Sequence, residues 1–112
     1  MKEFLFIFRR DFKAKEIQPA EYELEKNVKH WKDWLDLLTE KGLLAQKHKS
    51  WDAEGSVMKP GESVTNGPYA EIKHSIGGMV VIKAENYDQA GEIAKGCPIF
   101  ELGGSVEIRM GL

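Results

Sequence analysis

An α+β domain, with two helices packed on one face of an antiparallel sheet in the ferredoxin-like split βαβ plan, is predicted by three observations in this 112-residue sequence. Phe4, Phe6 and Phe8 alternate with Leu5 and Ile7, so residues 3 to 9 read as a strand with apolar groups on both faces. Leu24, Val28, Trp31, Leu35 and Leu38 recur at the spacing of an amphipathic helix. The elements then follow in the order β, α, β with an inserted ribbon, β, α, β.

The first helix is expected from about 19 to 41. Pro19 suits a first helical turn, Glu21, Glu23 and Glu25 lie near the positive end of the helix dipole, and Gly42 is placed to end the helix. On the helical wheel His30 and Trp34 lie at one border of the apolar stripe, four residues apart, with Lys26, Lys29, Asp33 and Glu40 toward solvent. Residues 43 to 50 suit a second strand, and 56 to 65 a short ribbon turning at Pro60-Gly61.

Residues 77 to 84 are again apolar on both faces, Met79 and Val81 alternating with Val80, Ile82 and Ala84. Asn86 with Gln89 three residues on marks the start of a short helix. Ala90, Ile93, Ala94 and Cys97 form its buried face, and Gly96 and Pro98 stop it. After Gly103-Gly104, the segment SVEIRM reads as a last strand with Val106, Ile108 and Met110 inward and Glu107 and Arg109 on a wet face. Two helices cover only one side of such a sheet. The second apolar face of the first and third strands therefore predicts a homodimer through facing sheets.

The length suits one domain over residues 1–112. Lys and Arg number 16 against 18 Asp and Glu, and neither sign forms a block of five or more, which argues against nucleic-acid binding. The run Phe4 to Phe8 is too short for a signal-peptide core or a membrane span, so no membrane association and a cytoplasmic location are expected. Cys97 is the sole cysteine, which excludes an internal disulfide and reads as a small buried apolar residue. His30, His48 and His74 form no close ligand pair, so neither a metal nor another cofactor is expected.

Residues 66 to 78, NGPYAEIKHSIGG, crowd turn-forming and chemically active residues together. This stretch resembles the DGPFAETKE…GG signature of the YCII-related, or DGPF-domain, proteins. The KGLLAQ step after the first helix, NYDQAGEIAKGCP, and VEIRM in place of VEVRP extend the likeness over most of the chain. The resemblance implies a ferredoxin-like domain that pairs into a dimeric α+β barrel, in a largely uncharacterised family where some members are suspected enzymes with a His and Asp pair in a cleft. Gly67, Pro68, Ala70, Glu71, Lys73, Gly77 and Gly78 match the signature, and His30 falls where many members have a helix histidine. Asn66 stands in place of Asp, Tyr69 of Phe, Ile72 of Thr, His74 of Glu, and Met110 of the Pro after Arg109.

An imidazole paired with a carboxylate can pass a proton, and Asn66 cannot be that carboxylate because its amide is neither acid nor base. That chemistry is then lost or moved to Glu71 or His74. Turn formation accounts for Asn66-Gly67-Pro68, and a surface ion pair accounts for Glu71 and Lys73 as well as a ligand role does. Gly77-Gly78 suits a bend in the strand or a close backbone approach.

Two readings follow. In one, a small-molecule ligand sits in a cleft between the long helix and the sheet, His30 is the candidate catalytic acid or base, and Trp34, Asn66, Gly67, Pro68, Tyr69, Glu71 and Lys73 bind the ligand. In the other, the domain is a non-catalytic interaction or regulatory module. A monooxygenase of the cofactor-free or haem-binding kind is a third reading, by analogy of fold alone.

Overall fold

Residues Lys2–Arg9 form β1, the central strand of a sheet that also contains β4 (Ile76–Ala84) and β5 (Ser105–Met110). The computed structural model describes residues 1–10, 20–46, 56–58, 60–61, 65–66 and 76–112. Both neighbours run antiparallel to β1, in the order β4-β1-β5. Outside β4, Leu44 makes an isolated antiparallel bridge to Ile82, fixed by Ala45 N–H donating to the Val81 carbonyl (2.8 Å) and Lys83 N–H to that of Leu43 (2.7 Å). With that bridge as a rudimentary strand, the spatial order is the one the split βαβ plan requires. Of the strand expected over 43 to 50, residues 47 to 50 lie outside the described part.

The register stacks Ile82, Phe4 and Met110 in one row across the sheet and Val80, Phe6 and Ile108 in the next, all pointing to the helices. Phe4, Phe6 and Ile82 are fully buried there. Phe8 pairs with Gly78 but Arg9 with Ile76, so β4 carries an extra residue at Gly77 and bends, in line with the glycine pair expected to permit it. The short ribbon also forms: β2 (Ser56–Val57) pairs with β3 (Thr65–Asn66), and Gly61 takes a positive φ of 70° in the intervening turn.

Helix α1 (Glu21–Glu40) starts behind Ala20, whose carbonyl accepts from the N–H groups of Glu23 and Leu24. Ala20 is extended (φ −66°, ψ 159°), so the helix begins at Glu21, slightly later than its sequence suggests; Pro19 lies outside the described residues. At its end Leu43 N–H reaches the Leu38 carbonyl and Gly42 N–H that of Thr39, a Schellman closure for which Gly42 supplies φ 68°.

The face that α1 buries differs from the expected stripe. Asn27, Trp34 and Leu38 are buried and Trp31 and Leu35 half-buried, whereas Val28 is 68% exposed and Leu24 39%. The helix is thus turned by roughly 50° from the orientation that apolar spacing alone would choose. Two contacts account for it. Trp34 enters an edge-to-face group with Trp31 and Phe8 (centroids 4.8–6.2 Å apart), and Asn27 finds buried hydrogen-bond partners described below. Trp34 therefore belongs to the core and not to the border of the stripe.

Helix α2 (Tyr87–Ala94) is capped as expected, the Asn86 side chain accepting from Gln89 N–H at 2.8 Å. Ala90, Ala94 and Cys97 are buried on the same side of the sheet as α1. A 3₁₀ helix (Pro98–Leu102) that the sequence reading did not include then carries the chain to β5. Gly103 closes it at φ 74°. Gly104 passes so close to β1 that a Cβ there would stand 2.6 Å from the Ile99 side chain and against the Arg9 carbonyl.

Candidate functional site

The most organised polar cluster lies where α1 meets the 3₁₀ helix. His30 is on the flank of α1, side chain 47% exposed, and Glu101 faces it with 46%. Nδ1 of His30 is 2.8 Å from both Oε1 and Oε2 of the Glu101 carboxylate. An ionised carboxylate only accepts hydrogen bonds, so Nδ1 carries the proton and donates it. One turn earlier on α1, Asn27 is 4% exposed and its Nδ2 donates to the Pro98 carbonyl (2.9 Å) and to Glu101 Oε1 (3.3 Å).

Local sequence explains how the partners meet. Pro98 sits at the start of the 3₁₀ helix, a position that needs no N–H donor, and the tight turn brings Glu101 back toward α1. Residues 27 and 30 are i and i+3 on α1 and share a side of it. Chemically, this is an imidazole with a carboxylate behind one nitrogen and the other nitrogen, Nε2, without a hydrogen bond among the described residues. Such a pair can take up and release a proton at Nε2.

Of the residues proposed from sequence, His30 is on the exposed flank expected of it, while Trp34 is 7% exposed and packs behind that flank. Asn66 pairs through its backbone with Ser56 in the ribbon. Gly67, Pro68, Tyr69, Glu71 and Lys73 lie outside the described residues, as does His74. Asn27 and Glu101 were missed. An Asn in the middle of a helix is a weak signal, because Asn is disfavoured there unless its side chain has a use. Glu101 carries no local signal, lying 71 positions from His30.

The opposite face of the sheet has a different character. Leu5, Met79 and Val81 are half-buried and Ile7 buried, and charged residues border them: Glu107 accepts from Arg9 Nε at 3.0 Å and from Arg109 Nε at 2.6 Å. Those two guanidinium groups, Arg109 foremost, hold the Glu107 carboxyl below the ordinary carboxylate range. A shallow hollow of about 310 Å³ opens beside Glu3, Leu5, Val81 and Arg109. Burial pushes the Cys97 thiol up to about 12, so it stays neutral, as a small core residue would. Among the described residues no cluster of three or more His, Cys, Asp or Glu could hold a metal ion, and no helix is long and apolar enough to cross a membrane.

Compared with known families, the chain matches the YCII-related domain from Ile7 in β1 to Met110 at the end of β5, residues 7–110. It belongs to the YCII-related family. The match takes in both halves of the split βαβ arrangement, the ribbon and the polar cluster at His30. No curated protein matches this YCII-related chain.

Proposed function

We propose that this YCII-related domain is a cytoplasmic, homodimeric small-molecule-binding protein in which His30 serves as an acid or base. The observation that carries the reading is the His30–Glu101 pair, with both carboxylate oxygens 2.8 Å from Nδ1 and the imidazole open to solvent. In this reading Glu101 supplies the carboxylate that Asn66, standing where the family signature has Asp, does not. Tyr69, Glu71 and Lys73, with Asn66, Gly67 and Pro68, provide the ligand contacts in this reading, and Trp34 packs behind the flank that carries His30. The apolar block of Leu5, Ile7, Met79 and Val81 with its charged border supports pairing through facing sheets, since an apolar centre and polar rim are the anatomy of a protein interface.

A thermal-stability screen against small carboxylates, aromatic acids and other metabolites tests the site. A ligand present at 100 times its Kd adds about 2.7 kcal/mol of stability. Compounds that stabilise the native protein are expected to lose that effect in His30→Gln. Equal stabilisation of both proteins would overturn the role of His30. The replacement of the signature Asp by Asn66 favours a second reading, a non-catalytic interaction or regulatory module, and the absence of any response across the screen would support it.

A further inference from the structure

We infer that Asn27 is the positioning residue of the His30 site: it holds the Glu101 carboxylate in the one orientation that keeps the proton on Nδ1 and leaves Nε2 as the proton-accepting nitrogen. The inference rests on the proposed role of His30 and adds a residue for which that role alone has no need.

Glu101 is a half-exposed side chain on a short 3₁₀ helix, and by itself it would sample several rotamers. A half-exposed pair of this kind has too little attraction to hold one geometry unaided. Asn27 supplies the restraint. Its amide is buried, and a buried amide is stable only where its donors are used. A purely structural clasp between α1 and the 3₁₀ helix is complete with the bond to the Pro98 carbonyl at 2.9 Å. The same nitrogen is also 3.3 Å from Glu101 Oε1, so its second N–H is spent on the carboxylate that faces His30. The side chains thus form a chain, from the Pro98 carbonyl through Asn27 and Glu101 to His30 Nδ1, anchored at its buried end. Which ring nitrogen of a histidine carries the proton is set by the hydrogen bond that the other makes, and a neutral imidazole in water prefers the proton on Nε2. Holding it on Nδ1 requires a partner that does not move away.

The test reads the ring tautomer of His30 from its ¹⁵N shifts in the full-length protein, at a pH where the imidazole is neutral. The native protein is expected to show the Nδ1–H form. In Asn27→Ala the population should move toward the Nε2–H form, and in Glu101→Ala, a change at an exposed position, it should do so fully. A folded Asn27→Ala protein that keeps the Nδ1–H form overturns the inference. Should Asn27→Ala fail to fold, exchange of the Asn27 side-chain amide protons decides. Glu101→Ala should speed exchange of one proton while the one bound to Pro98 stays protected, and unchanged exchange of both overturns the inference. If the tautomer follows Asn27 but ligand-induced stabilisation survives His30→Gln, the proposed function fails and the positioning role stands.

Discussion

The two faces of the sheet come from the same three strands and have opposite fates. Toward the helices, Phe4, Phe6 and Phe8 meet Trp34, Leu38, Ile82 and Ile99 and lose nearly all contact with solvent. On the other face, Leu5 and Val81 stay half-buried, and the rows that hold them end in charges: Val81, Leu5, Arg109 in one and Met79, Ile7, Glu107 in the next. The difference teaches that double-sided apolar alternation encodes two kinds of burial. One is closed within the chain, and the other has the composition of a surface that closes against something else.

The comparison can be broken most sharply by truncation on each side. Phe6→Ala should cost about 3–5 kcal/mol in denaturant titration, whereas Leu5→Ala, half-buried in a single chain, should cost roughly 1 kcal/mol. Equal costs in a chain held monomeric by dilution would erase the distinction. Next in size is association. Val81→Lys should leave the fold intact by circular dichroism and turn a dimer into a monomer in sedimentation, because an unpaired charge at an apolar interface is strongly disfavoured. An unaltered sedimentation coefficient would remove the facing-sheet dimer.

The smallest effect is electrostatic and belongs to the open face alone. Because Arg109 and Arg9 lower the Glu107 pKa from its ordinary 4.5, the contribution is complete above that value. It is lost as the pH falls below 4.5 through the lowered folded value. Glu107→Gln should therefore flatten the acid limb of the stability curve, and the flattening should fade with added salt, since the group is solvated. An acid limb identical in the two proteins would show that these bonds do not tie the face together.

Strands, turns and caps were legible because their signals are local. Alternation placed β1, β4 and β5, Asn86 with Gln89 marked the start of α2, and Gly42 ended α1. The orientation of α1 was not legible, since apolar spacing favours Leu24 and Val28, while burial of Asn27 depends on a carbonyl 71 positions away. The site was half legible for the same reason. His30 stood out by its position on the helix, but Glu101 reaches it only through a 3₁₀ helix whose return path is a tertiary fact.

One departure from the family signature acquires a meaning from Tyr87. Among the described residues β5 pairs with β1 only, so its outward N–H groups form a row that another chain could template on. A proline after Arg109 would end that row by having no hydrogen to offer. Met110 does have one, and the Tyr87 hydroxyl accepts it at 3.0 Å while the ring stacks edge-on against Phe4. The first residue of α2 thus occupies the last outward donor of β5, where a proline would have offered none, and shortens the row left open to strand addition.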